Sequence, residues 1–282
     1  MANEKIVILG GRGMLGTDLA KLCRAKGLDV KVFDLPECDI TDIEQLEDAV
    51  GESSTVINCA AYTNVDRAES EPEEAYRVNT HAAGELGVIA AHLGIYVIHI
   101  STDFVFDGRS SRPYKETDVP NPINVYGKTK LAGERLLMGS GCRHCIIRLE
   151  WSYGQVGDNF VKKIIRAGQK NKQIKVVDDQ VGSPTATTES AKAILALLKK
   201  RSEGIYHFAA QGFVSRYEMA KFIFEKLQKP IEVLPCKTGD FPSAAVRPLS
   251  SRFDCTKISR ILDEPIEGWQ KPLEQFVRQL KM

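Results

Sequence analysis

Tyr126 and Lys130 stand four positions apart at the head of a segment with helical spacing. Four residues is about one helical turn, so both side chains project from one face. A free phenol has a pKa near 10, roughly three units above neutral pH, and an adjacent ammonium favours its ionised form. Such a pair can pass a proton to a carbonyl oxygen as a hydride reaches the carbon, and the lysine can also hold a ribose. Twenty-four residues before the tyrosine, Thr102 closes an apolar, strand-like run. Ligands of open parallel sheets bind beyond the carboxyl ends of the strands, so its hydroxyl is placed to hydrogen-bond the same oxygen. Taken singly, a tyrosine and lysine at this spacing read as surface neighbours; the order of all the motifs is what gives them weight.

A hydride needs a carrier, and the first residues describe a cradle for one. The run Ile6-Val7-Ile8-Leu9 leads straight into Gly10-Gly11-Arg12-Gly13-Met14-Leu15-Gly16 and then into a helical pattern. Gly10 and Gly13 permit a tight turn and let backbone N–H groups approach a pyrophosphate, while Gly16 lets helix and strand pack closely. The helix start then directs partial positive charge at the phosphates. Asp34 follows Gly16 by 18 residues at the end of a second strand-like run. That is near the roughly 20-residue offset of an acid that binds ribose hydroxyls, which suits NADH. Arg12, inside the loop, suits a 2′-phosphate and hence NADPH, so both cofactors remain open. Asp39-Ile40-Thr41-Asp42 reads equally as a helix cap and as an adenine contact.

These side chains need a scaffold of alternating strands and helices. Strand-like runs fall at 6–9, 30–33, 55–59, 96–100 and 145–149, with helical spacing at 15–24, 43–50, 73–93 and 126–138 between them. The pattern predicts an α/β fold, a Rossmann-like doubly wound parallel sheet, with a smaller C-terminal α/β substrate-binding lobe. Residues 1–150 form the expected dinucleotide-binding domain and 151–282 mainly the substrate lobe, with segments exchanged between them. In the second part, helical spacing returns at 189–200 and 217–227 around a strand-like run at 205–208.

Composition narrows the function further. Thirty-eight Lys and Arg against 37 Asp and Glu leave a net charge of +1, which supplies no field to gather nucleic acid or an anionic membrane. Mean hydropathy is negative and no apolar run approaches the roughly 20 residues of a bilayer span. The opening residues Met1 to Ile6 lack a secretory pattern, so a cytoplasmic location is expected. Seven scattered cysteines make a disulfide framework improbable, and the Cys142/Cys145 pair has no second cluster to complete a zinc site. Glu69, Glu71, Glu73 and Glu74 read as a solvated helix start rather than an ion site, and no metal is expected.

The motifs resemble the dTDP-4-dehydrorhamnose reductase family of the extended short-chain dehydrogenase/reductase superfamily over nearly the whole chain. The resemblance rests on Gly10–Gly16, Asn58–Asp66, Ser101–Gly108, Asn124–Glu134, Asp179–Thr185 and Arg247-Pro248. It implies reduction of the C4 keto group of a nucleotide-activated 6-deoxy-4-keto sugar, with Thr102, Tyr126 and Lys130 as the catalytic residues. It also implies that Gly10, Gly13, Met14, Leu15, Gly16, Asp34, Asp39, Ile40, Ala60, Ala61 and Tyr62 contact the cofactor, NADPH or NADH, together with Tyr126 and Lys130. For the sugar nucleotide it points to Val65, Asp103, Phe104, Trp151, Gln180 and Arg247. Arg247 has a planar fork that matches diphosphate oxygens, and Trp151 can cover a sugar face or simply pack the lobe. A homodimer is a possible assembly.

Two departures bear on the sugar. Leu149-Glu150 precede Trp151 where the family usually has Thr-Ser, and Phe104 replaces a common Tyr, which removes a hydroxyl. Both predict a shifted sugar preference. The chain also resembles sugar-nucleotide epimerases and 4,6-dehydratases through its first 130 residues, but Phe104 stands where a dehydratase carries the Glu of its acid pair. It further resembles the regulatory subunit of methionine adenosyltransferase, a dinucleotide-binding protein without this chemistry, because a binding fold can retain an old site.

Overall fold

Six apolar strands lie side by side in the computed structural model, which describes residues 4–241 and 243–280. Part of the N-terminal segment read for targeting, residues 1–3, lies outside them. The strands are β1 (Lys5–Leu9), β2 (Asp29–Phe33), β3 (Thr55–Asn58), β4 (Tyr96–Thr102), β5 (His144–Leu149) and a sixth, Gly204–Phe208. All neighbours pair in parallel, in the order sixth strand, β5, β4, β3, β1, β2. Successive side chains of a strand point to opposite faces, so Ile6 and Ile8 enter one core and Val7 and Leu9 the other. The first core is covered by the helices Met14–Ala25 and Thr187–Lys200, the second by Ile43–Val50 and Ala82–Leu93. This is the doubly wound α/β sheet the alternating pattern calls for.

From β1 the chain winds outward to β2 and then crosses back to β3 on the other flank of β1. The connections therefore diverge above β1 and β3, which opens a crevice at the carboxyl edge of the sheet. Residues after 150 do not all leave the sheet. Gly204–Phe208 pairs in register with Cys145–Leu149, and Thr187–Lys200 packs against Met14–Ala25. The remainder builds a separate core around Tyr153, Met219, Phe224, Trp269 and Leu273.

The segment expected as one helix over 73–93 is broken into Pro72–Tyr76, a π-helical turn at Arg77–His81, and Ala82–Leu93. The wider turn accompanies a close approach of the neighbouring helix, Val125–Gly139. A Cβ on Gly133 would lie 2.1 Å from the Asn79 carbonyl oxygen. The buried Asn79 amide donates to Thr129 Oγ1 at 3.0 Å and to the Tyr62 carbonyl at 3.1 Å. Local winding is thus given up to lock the helix that carries Tyr126 and Lys130.

Candidate active site

The glycine loop joins β1 to the helix Met14–Ala25 through a turn only small residues allow. Gly10 has φ +67°, and a Cβ there would come 2.5 Å from the Ala60 nitrogen at the end of β3. Gly13 is the N-cap, its own side chain offers no cap, and the first helical turn has no acid. The helix start is therefore free to receive an anion. Gly16 does not line the cavity; a Cβ on it would sit 2.4 Å from the Gly10 carbonyl oxygen, so its work is to let helix and loop close together. Asp34 Oδ2 accepts the Arg12 backbone N–H at 2.8 Å, which ties the loop to the end of β2. The Arg12 guanidinium turns outward to Glu37 at 2.5 Å, with more than half its surface exposed.

A cavity of about 720 Å³ runs from this loop over the sheet edge to the second lobe. Gly10, Gly13, Met14, Leu15, Asp34, Asp39, Ile40, Ala60 and Ala61 line its cofactor end, and Thr102, Tyr126 and Lys130 its middle. Tyr62, expected at the cofactor, is not on its wall. Its hydroxyl donates to Glu71 Oε2 at 2.7 Å and its backbone N–H to Asn79 Oδ1 at 2.9 Å. The residue serves the helix packing described above. Among the described residues, no group of three His, Cys, Asp or Glu is arranged around a common ion position.

Tyr126 is placed by an unusually well-fastened helix start. Asn124 Oδ1 accepts the Gly127 N–H and Glu69 Oε1 the Val125 N–H, each at 2.8 Å. Gly127 lets the turn seat on Phe104, whose carbonyl oxygen would lie 2.1 Å from a Cβ there. The Phe104 ring meets the Tyr126 ring edge-on at 5.5 Å. Burial pushes the Tyr126 phenol up to about 12; the Thr102 hydroxyl pulls it down and Asp103 pushes it up. Thr102 Oγ1 itself donates to Asp103 Oδ1 at 3.0 Å.

The expectation that Lys130 holds the phenol down is corrected here. Its ammonium donates to the Ile100 carbonyl oxygen at 2.7 Å and faces His99 Nε2 at 3.3 Å. Burial lowers Lys130 to about 8, with Glu134 and Cys59 opposing. The same burial, with Lys130 adding, holds His99 well below its usual range, so the ring is neutral. One turn on from Lys130, Glu134 is fully buried and clasps Arg148 through two bonds of 2.9 and 2.6 Å while accepting from Ser101 Oγ at 2.5 Å. This network fixes Lys130 against the sheet in the middle of the cavity, with its hydrogen bonds going to β4 rather than to the phenol.

At the far end Val65, Asp103, Phe104 and Trp151 line the cavity, and Gln180 and Arg247 do not. Gln180 is buried and donates to Thr238 Oγ1 at 3.1 Å. Arg247 forms a two-pronged pair with Asp66 at 3.0 and 2.6 Å. Trp151 has φ +41°, a backbone region costly for a large residue, and its ring is overlaid by the Arg216 guanidinium at 3.4 Å. Sequence reasoning missed Arg216, which also lines the cavity. Its position as first residue of the helix Arg216–Leu227, after the Ser215 cap, was the only available signal.

The RmlD substrate binding domain model matches residues 4–282. The chain belongs to the RmlD substrate-binding-domain family. Relatives in that family include the dTDP-4-dehydrorhamnose reductase of Aggregatibacter actinomycetemcomitans, 37% identical over 96% of this chain and 98% of its own length. The enzyme of the same name from Mycolicibacterium smegmatis is 38% identical over 97% and 85%. Among solved structures, the dTDP-4-dehydrorhamnose reductase of Bacillus anthracis in complex with NADP superposes with a TM-score of 0.94 at 37% identity, covering 98% of this chain and 99% of that one. The family resemblance drawn from the motifs is thereby borne out.

Proposed function

We propose that this RmlD-family chain reduces the C4 keto group of a nucleotide-activated 6-deoxy-4-keto sugar, with NADPH as reductant and dTDP-4-dehydrorhamnose to dTDP-L-rhamnose as the reaction. One observation carries the reading: Tyr126, Thr102 and Lys130 line the middle of a single cavity that joins the glycine loop to the second lobe. The names of the relatives, and NADP in the B. anthracis structure, support the same chemistry.

The residues present fit a dinucleotide. The cradle at Gly10 and Gly13 is one that side chains would fill, and the uncapped helix start suits its pyrophosphate. When bound, the reduced nicotinamide supplies the hydride. Tyr126 provides the proton. With its phenol pushed up to about 12 it is overwhelmingly protonated at neutral pH, as a donor must be, and Thr102 lies beside it to bind the same carbonyl oxygen. Lys130, fixed by Ile100 and the Glu134 side of its helix, is placed to hold the ribose hydroxyls and keep a positive charge beside the developing alkoxide. The single proton of the Thr102 hydroxyl rests on Asp103 Oδ1, and turning it to the carbonyl oxygen releases that bond.

Tyr126→Phe tests the assignment. General-acid loss predicts a fall in kcat of roughly 10²- to 10⁴-fold with the NADPH dissociation constant within about twofold of wild type. A variant that turns over the keto sugar at the wild-type rate places the proton donor elsewhere.

A further inference from the structure

At one corner of the cavity, three polar groups lie close together without bonding to one another. Thr102 and Leu149 are register partners on neighbouring parallel strands, so the next residues, Asp103 and Glu150, leave the sheet side by side. Asp103 is 3% exposed and Glu150 0%. Each carboxyl uses one oxygen internally: Asp103 Oδ1 accepts from Thr102, and Glu150 Oε1 from the Ser183 backbone N–H. Asp103 Oδ2 and Glu150 Oε2 have no well-formed hydrogen bond among the described residues, with the Ser251 side chain near the first carboxyl and the Phe253 backbone near the second. The third group is Arg216. Its guanidinium is stacked on Trp151 at 3.4 Å and also covers Phe160 at 4.5 Å, and it makes no side-chain hydrogen bond or ion pair among the described residues. A guanidinium covered on its faces still presents N–H donors around its edge, in its own plane.

Leaving a buried carboxyl group half-paired costs free energy, and Arg216, only partly buried, keeps its edge donors open to the cavity. Asp103 and Arg216 line the cavity, whereas Glu150 stands behind them. Asp103 and Arg216 are therefore the two groups that a molecule in the cavity can meet. Its charge follows from the cluster. Burial and the neighbouring Asp103 push Glu150 well above the usual carboxylic range, so it stays protonated at neutral pH. Burial raises Asp103 as well, while Ser251, Thr102 and Arg216 pull it down. Arg216 is lowered to about 9 by burial, with Asp103 and Glu150 opposing and Arg247 adding to the fall. A guanidinium beside two carboxyl groups whose ionisation burial opposes puts donors and acceptors together in a small space. It suits an uncharged ligand that both donates and accepts hydrogen bonds better than it suits a phosphate.

We propose that Asp103, Glu150 and Arg216 form a subsite that reads two neighbouring hydroxyls of the sugar ring, with Arg216 donating, Asp103 accepting, and Glu150 positioning both from behind. This rests on the sugar-nucleotide reading above and adds residues that decide which sugars are turned over. A site built to hydrogen-bond a hydroxyl rejects the analogue that lacks it, because the buried groups are again left unpaired.

The test compares dTDP-4-dehydrorhamnose with its 2-deoxy and 3-deoxy counterparts in steady-state assays. For wild type, kcat/KM should drop at least roughly thirtyfold for each of the two deoxy sugars. In Arg216→Met the gap should narrow to within about threefold, through the KM of the parent sugar more than through kcat. Arg216→Lys, which keeps the charge without the fork, should fall between the two. Glu150→Gln preserves the shape and donor of the neutral acid and should keep wild-type discrimination, whereas Glu150→Leu should lose it. NADPH dissociation constants within about twofold of wild type verify that each variant is folded. Arg216→Met discriminating as sharply as wild type, or wild type accepting either deoxy sugar as readily as the parent, overturns the subsite. Wild type that binds NADPH but leaves the parent sugar untouched overturns the reductase reading and the subsite with it.

Discussion

Raising the pH from 7 to 9 should slow reduction by about tenfold, and replacing Lys130 with arginine should remove that dependence. Burial sets Lys130 at about 8 and Tyr126 at about 12. A base whose pKa is lowered carries its charge below that value and loses it above. The ammonium therefore outnumbers the amine by about ten to one at pH 7 and is outnumbered to the same extent at pH 9. Over the same interval the phenol stays protonated, with roughly one molecule in 10⁵ ionised at pH 7 and one in 10³ at pH 9. The proton donor is thus constant while the neighbouring cation disappears. If that cation holds the ribose and stabilises the forming alkoxide, kcat/KM falls in proportion to it. Initial rates followed by reduced-nicotinamide absorbance from pH 6 to 10, at saturating NADPH, give the profile. Arginine does not lose its proton in this range, so Lys130→Arg should be slower throughout but level between pH 7 and 9. A level wild-type profile, or a variant that declines in step with wild type, refutes the assignment of this ionisation to Lys130.

Arg12 is held only by a solvent-screened, exposed pair with Glu37, so its guanidinium is available to a 2′-phosphate. Arg12→Ala should raise the KM for NADPH roughly tenfold and leave that for NADH within about twofold, and equal changes in both would contradict this role. Glu134→Gln leaves the Arg148 charge buried without its counter-ion and should cost roughly 3–5 kcal/mol in urea unfolding. Because Glu134 also supports the Lys130 charge, the inflection of the pH profile should move to lower pH in the same variant.

The sheet was legible because its strands are apolar runs separated by helical spacing, and a parallel sheet covered on both faces leaves that mark. The runs at Ile6–Leu9 and Tyr96–Ile100 fall inside β1 and β4 as observed. The glycine loop was legible for a related reason: a Cβ on Gly10 would lie 2.5 Å from the Ala60 nitrogen, so the loop admits no side chain there. What spacing cannot show is how a side chain settles once distant segments meet. Tyr126 and Lys130 share a helical face as their separation requires, yet Lys130 is drawn to Ile100 and His99 on β4, from a different stretch of sequence. Tyr62 was read by its motif, but a turn whose winding no periodicity announces drew it toward Asn79 and Glu71. Arg216 had no legible motif because its setting is made of Trp151, Phe160, Asp103 and Glu150, all more than 50 residues earlier.

The sixth strand has a bearing on how this protein can be divided. Gly204–Phe208 zips onto β5, and Thr187–Lys200 shares with Met14–Ala25 the cover of one face of the nucleotide-cradling half. Cutting the polypeptide near residue 150 would strip Ile147, Cys145 and Leu19 of their cover and leave β5 as a bare, sticky margin. The halves are sewn together rather than hinged as cassettes. Grafting a foreign sugar-recognition lobe onto this scaffold would have to keep those two stitches, and new specificities are more readily reached by changing side chains in place.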